Sequence, residues 1–197
     1  MATYSIAADG DDGGRYGAST FAATATRNYV GYAGGNYQLW FRFAGIAAAQ
    51  GATCASAYIT FKSGGSGSGT EMLTAFYGVD EDNHVAPTTY AEWSTDDGLH
   101  TTAKVDFDFA DGATTGDTIT SPSLVSIFDE IFARAGWATG NAVGIHWEND
   151  GASGFNYRYI AMRENATYTE AVLTLTLNGG ASLSIPAAMH SYRQRRV

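Results

Sequence analysis

Carboxylates are the first residues that could do chemistry. Asp80, Glu81 and Asp82 are adjacent, Asp96 and Asp97 are adjacent, and Glu148 lies two positions before Asp150. Cleaving a glycosidic bond requires two carboxyls facing each other across a cleft. Each grouping here is confined to neighbouring positions with turn-like surroundings, which predicts solvated acidic loops. The four histidines, His84, His100, His146 and His190, are scattered along the chain. Neither a His-x3-His pair nor a His-Glu-x-x-His motif is present, which argues against a catalytic zinc centre. Asp9, Asp11 and Asp12 offer hard oxygen ligands for a structural calcium ion, though not at EF-hand spacing; an acidic turn is the default reading there. Cys54 is the only cysteine, so no internal disulfide forms, and its place at the head of an apolar strand predicts a buried, inert thiol. There is no Gly-x-Ser-x-Gly elbow, Walker loop or dinucleotide fingerprint. Apart from the calcium reading, no catalytic, cofactor-binding or metal-binding residue is expected, and the chain reads as not an enzyme.

Aromatic residues offer another kind of chemistry, the stacking of flat rings on sugars. Trp40 and Tyr58 fall on strand faces opposite the apolar ones, and Tyr157 and Tyr159 share one face of their strand. These four are the candidate glycan platform. The favoured reading is that a helix, a long loop or a neighbouring subunit covers these faces. Trp93, between Glu92 and Ser94, reads as a loop residue.

The elements that position these residues follow from period-two alternation. Leu39, Phe41 and Phe43 alternate with Trp40 and Arg42; Ala57, Ile59 and Phe61 with Tyr58, Thr60 and Lys62; Val105, Phe107 and Phe109 with Lys104, Asp106 and Asp108; Leu173, Leu175 and Leu177 with Thr174 and Thr176. Further strands are expected over 5–8, 29–32, 71–79, 142–148 and 157–163, about nine in all. Glycine-rich stretches at 9–14 and 64–69 separate them, the second read as a mobile hairpin loop. Many strands with tight turns and little helix indicate an all-β, antiparallel jelly-roll-type sandwich. One short helix is expected over about 122–135, because Leu124, Ile127, Phe128, Ile131 and Phe132 form a helical apolar stripe. Ser121 would cap it, with Pro122 in its first turn, and Gly136 would end it.

Length and charge bound the rest. A chain of 197 residues fits one large β-domain, here 1–177, followed by an arm at 178–197 with a basic end. Lys and Arg number 11 against 20 Asp and Glu, a net charge of -9 that repels nucleic acid. No apolar run is long enough to cross a membrane as a helix. The N-terminus has no basic-then-apolar leader, so synthesis in a cytosol is expected. Tyr192, Arg193, Arg195 and Arg196 in the arm could hold an acidic partner surface by charge-assisted contacts.

Three stretches resemble one family. Leu39-Trp40-Phe41-Arg42-Phe43, followed by Gly51-Ala52-Thr53-Cys54-Ala55-Ser56-Ala57-Tyr58-Ile59, is similar to the opening of DNRLRE-type domains, which are close to carbohydrate-binding-module jelly rolls. Ser121-Pro122 through the helix to Gly136-Trp137-Ala138-Thr139-Gly140-Asn141-Ala142 resembles a segment of related domains, and Glu170-Ala171-Val172-Leu173-Thr174-Leu175 stands where they have a closing strand. The resemblance implies a non-catalytic jelly roll of surface, adhesive and phage virion proteins. The arm is similar to basic ends of phage structural proteins. The function expected from it is a phage virion structural protein, a capsid decoration (cement) protein or other virion-surface protein. Such a protein would be made in the host cytoplasm, placed on the virion surface, and bound to the major capsid protein or another virion protein. A homo-oligomer, a trimer, is expected, with neither nucleic acid nor membrane as partner. The alternative is a glycan-binding adhesin module.

Overall fold

The structure, a computed structural model, describes residues 1–17, 19–70, 72–108 and 114–179. Tyr192, Arg193, Arg195, Arg196 and His190 lie outside the described residues.

The fold is all-β, an antiparallel sheet curled into a jelly-roll-like sandwich with two short helices. In chain order the elements are β1 (Ala2–Ser5), β2 (Asp12–Tyr16), β3 (Thr20–Ala22), β4 (Arg27–Ala33), β5 (Asn36–Phe43), β6 (Cys54–Ser68), β7 (Thr74–Val79), α1 (Tyr90–Asp97), β8 (His100–Asp106), β9 (Thr118–Thr120), α2 (Val125–Ala133), β10 (Val143–Asn149), β11 (Phe155–Ala161) and β12 (Val172–Leu177). Hydrogen-bonded neighbours run β1-β12-β6-β11-β4-β5-β10-β7-β8, with β2 pairing β3 and β5, and β9 pairing β6. The long strand β6 joins the two halves. Its first part pairs with β12 and its last part with β11.

The alternating apolar residues read from the sequence form the core. Leu39, Phe41 and Phe43 of β5, Ala57, Ile59 and Phe61 of β6, and Leu173 and Leu175 of β12 are buried together. Phe61 lies 5.0 Å from both Phe41 and Trp147, ring centre to ring centre. The helical stripe is buried too, and Gly78 of β7 leaves room for Ile127 and Ile131, since a side chain there would meet both. Helix α2 also lies along β8, the last strand of the sheet order, where Glu130 accepts from Thr102 N and Ala103 N.

Several expectations need correction. Helix α2 spans Val125–Ala133 rather than 122–135. Ser121 does not cap it; its amide donates to Ile59 O and Leu124 N donates to Ala57 O, so the chain is still tied to β6 at Leu124 and cannot coil earlier. The Ser121 hydroxyl accepts from Ile59 N and donates to Pro122 O. Gly136 is not a left-handed stop; it lies against the Asp82 carboxylate, where a side chain would collide. The 64–69 stretch is mostly strand, not a hairpin loop. Its glycines admit neighbours from the facing strand: a side chain at Gly65 would meet the Tyr159 ring, and one at Gly67 would meet Arg158. Trp93 lies in helix α1, fully buried, not in a loop.

Trp40 drops out of the candidate glycan platform, in line with the reading that its face is covered. It is fully buried: its side chain lies across the β2–β3 hairpin, which pairs alongside β5. Its ring stacks on Phe21 at 4.6 Å, and Gly13 of β2 is bare so that the indole fits. Both faces of β5 are thus core, which a period-two pattern with one polar residue does not reveal.

Candidate functional site

Five tyrosines form one open face. Tyr16 of β2, Tyr37 of β5, Tyr29 of β4, and Tyr157 and Tyr159 of β11 come together because these strands are neighbours in the register. Tyr16 pairs with Tyr37, and Tyr29 with Tyr159. Side chains of directly paired residues lie on the same side of the sheet, within ring-contact range. Ring centres are 4.2 Å apart for Tyr29–Tyr159, 4.9 Å for Tyr29–Tyr37, 5.3 Å for Tyr16–Tyr37, and 5.4 Å for Tyr29–Tyr157. The guanidinium of Arg27 lies 4.4 Å over the Tyr159 ring. All five rings remain partly open to solvent, and Phe155, two positions before Tyr157, is 67% exposed.

Local structure holds this face flat. The Tyr159 and Tyr29 hydroxyls are hydrogen-bonded at 2.9 Å. That hydrogen bond, with burial, pushes the Tyr29 phenol up to about 12. Gly31, opposite both Tyr37 and Tyr157, has φ of 109°, a left-handed conformation that suits glycine. Register shifts between β11 and β6 on either side of Tyr159 mark bulges, which turn side chains locally.

The candidate platform therefore divides. Tyr157 and Tyr159 belong to this face, Trp40 is in the core, and Tyr58 is elsewhere. Tyr58 pairs with Thr174 and borders a shallow hollow with Thr120 and Ser121. It is seven positions up β6 from Gly65, about 20 Å along the strand. Tyr16, Tyr29 and Tyr37 were not singled out in the sequence. The signal was cross-strand, and only the register carries it.

The carboxylates and histidines also come together, contrary to their spacing in the chain. His100 on β8, His146 and Glu148 on β10, and Asp97 at the end of α1 converge. His100 Nε2 is 3.4 Å from His146 Nδ1 and 3.2 Å from Glu148 Oε1; His146 Nδ1 is 3.2 Å from the same oxygen; Asp97 Oδ1 is 3.7 Å from His100 Nε2. Tyr77 stacks on the His100 ring at 4.3 Å and Trp93 on the His146 ring at 5.7 Å, fixing both imidazoles. Burial alone would raise the Glu148 carboxyl, but the two imidazoles hold it well below the usual carboxylate range. Burial, with Glu148 alongside, pushes Asp97 up to about 6.

A second group, Glu81, His84 and Asp96, adjoins it. Burial drives the His84 imidazole down to about 3, with His146 and Arg42 adding to the effect. Asp96, buried near Glu81 and Glu92, is pushed up to about 6. Glu81, Asp96, Asp82, Glu92 and Arg134 border a cleft of about 580 Å³. Arg134 bonds both Asp80 and Asp82. Asp80 and Asp82 stay substantially exposed while paired with Arg134, whereas Asp96 and Glu148 are buried.

Helix α1 places Asp96 and Asp97. Thr89 Oγ1 accepts from Glu92 N, while Glu92 Oε2 accepts from Thr88 N. The Thr89-Tyr90-Ala91-Glu92 spacing is a capping-box signature, legible in the sequence but overlooked there.

At the N-terminal acidic turn, arginine side chains pair with two of the three aspartates. Asp11 pairs with Arg42 at 3.0 Å, and Asp9 with Arg163 at 3.1 Å. Asp12 Oδ2 accepts from Arg163 N. The turn closes the strand ends onto the loop after β11.

The Gly136-Trp137 to Ala142 segment is structural. Trp137 Nε1 donates to Ala48 O at 2.9 Å, Asn141 Nδ2 donates to Asp82 O, and Ala142 N donates to Asn83 Oδ1. It ties two loops together, one of them carrying His84. Among the described residues no helix is long and apolar enough to cross a membrane. In comparison with known proteins, no family model and no curated sequence matches the chain.

Proposed function

We propose that this chain is a non-catalytic surface-binding module of a virion, a capsid decoration (cement) protein or related virion-surface protein, that holds a neighbouring protein through its tyrosine face. The observation that carries the reading is the row of partly open tyrosines spanning β2, β5, β4 and β11. Tyrosine suits interfaces because it is large, loses little conformational freedom, and offers both an apolar ring and a hydrogen-bonding hydroxyl. The sequence resemblance to jelly rolls of surface and virion proteins supports the setting. In this reading the major capsid protein or another virion protein is the partner, the protein assembles as a homo-oligomer, and the arm with Tyr192, Arg193, Arg195 and Arg196 anchors it.

The test is immunogold electron microscopy of particles from the source culture with an antibody to this protein. Regular label on heads is the expected result, and label on tails moves the assignment to a tail-surface protein. Absence of label from every particle overturns the virion reading.

A second reading, a glycan-binding module, is favoured by one feature: Tyr157 and Tyr159 stand beside Arg27 on an open aromatic surface against which the C–H face of a pyranose could lie. Saturable binding on a glycan panel, lost in Tyr157→Ala and Tyr159→Ala, would establish it. No binding across the panel would remove it.

A further inference from the structure

We propose that Asp97, His100, His146 and Glu148 form a binding site for a zinc-class divalent transition-metal ion, which fastens helix α1 to strands β8 and β10.

The distances carry the argument. A tetrahedral ion with bonds of about 2.0–2.2 Å to imidazole nitrogen and carboxylate oxygen sets its ligand atoms about 3.3–3.6 Å apart. His100 Nε2, His146 Nδ1 and Glu148 Oε1 form a near-equilateral triangle with edges of 3.4, 3.2 and 3.2 Å. Asp97 Oδ1, 3.7 Å from His100 Nε2, is in reach as the fourth ligand. The two imidazole planes stand at 89° to each other, so both can aim a lone pair at one point from different directions.

Hydrogen bonds can join both imidazoles to Glu148 Oε1 only if His100 Nε2 and His146 Nδ1 each carry a proton, which sets two N–H groups 3.4 Å apart. One cation accepts all three lone pairs at once. His146 is fully buried and Glu148 nearly so, where mismatched polar groups are costly.

The surroundings suit a preformed site. Tyr77 and Trp93 stack on the two imidazoles and fix their planes. His100 and Asp97 are partly open to solvent, giving the ion a way in. Two imidazoles with two carboxylates match the nitrogen and oxygen preferences of zinc better than those of calcium or magnesium, which favour oxygen alone. The ligands come from three elements, so the ion would act on stability as a cross-link, through its preference for the folded state.

The test uses the full chain, freed of metal by a chelator and titrated with zinc against a chromophoric competitor, and separately with cobalt. About one ion per chain is expected, with the intense visible absorption of four-coordinate cobalt and a rise in the thermal midpoint on zinc addition. His100→Gln and Asp97→Asn, both at the solvent side, keep the fold in chelator. His100→Gln should weaken binding more than about 100-fold, beyond the loss typical of an outer partner. His190→Gln should leave affinity unchanged. Zinc affinity no greater in the wild type than in His100→Gln, or cobalt showing only the weak absorption of six-coordinate ions, overturns the proposal.

Discussion

The Arg163 amide donates to Asp12 Oδ2 at 3.0 Å, joining residues 151 positions apart. Asp12 is fully buried at the start of β2, and its other oxygen has no hydrogen-bond partner. Burial pushes its carboxyl from 3.8 up to about 7, despite the Arg163 amide.

The sign of the resulting pH dependence follows from linkage. Between about 4 and about 7 the folded protein keeps a proton on Asp12 that the unfolded chain has released, so stability from this residue is full at low pH and declines as pH rises through that window. Asp12→Asn keeps an oxygen for the Arg163 amide and removes the titration. Urea unfolding of both proteins across the window should show the variant gaining on the wild type as pH rises. A difference that does not change with pH would refute this account.

The tyrosine face is tuned by one hydrogen bond and one glycine. In Tyr159→Phe the hydroxyl–hydroxyl bond that favours the protonated Tyr29 phenol is lost, so spectrophotometric titration should show it ionising nearer 10 than 12. Stability should fall by only about 0.5 kcal/mol, since the pair is partly solvated. Gly65→Ala puts a methyl carbon 3.1 Å from Tyr159 Cδ2 and 3.0 Å from Arg27 Nη1. That crowding should cost about 1 kcal/mol and displace the Tyr159 ring. Unchanged tyrosine titration in both variants would show that the face is not organised in this way.

Trp137 anchors the segment between α2 and β10. Trp137→Phe loses the bond to Ala48 O, although the Thr139 hydroxyl still reaches that carbonyl. A loss of about 1–2 kcal/mol is expected from the missing bond and the space left behind. The urea midpoint should drop with an unchanged slope. A neutral result would mean that Thr139 alone satisfies Ala48 and that the indole nitrogen contributes little.

The sequence by itself determined the class of fold and most of the core. Alternation such as Leu39, Phe41, Phe43 or Leu173, Leu175 reports which residues face inward, because a strand's side chains repeat every two positions. The Leu124 to Phe132 stripe likewise reports a helix. These signals are local, so a linear reading reaches them. The tertiary structure alone decided what covers each face and what meets across strands. Nothing local to Trp40 announces that its ring lies across Gly13 and against Phe21 of the neighbouring β2–β3 hairpin. The 64–69 glycines looked like a loop because the neighbours they make room for, such as Tyr159 at Gly65 and Arg158 at Gly67, lie more than 90 residues away. His100 and His146 are 46 positions apart and meet only because α1 leads into β8, and β8, β7 and β10 lie side by side. Strand order and register place such residues together, and they depend on how the whole chain pairs.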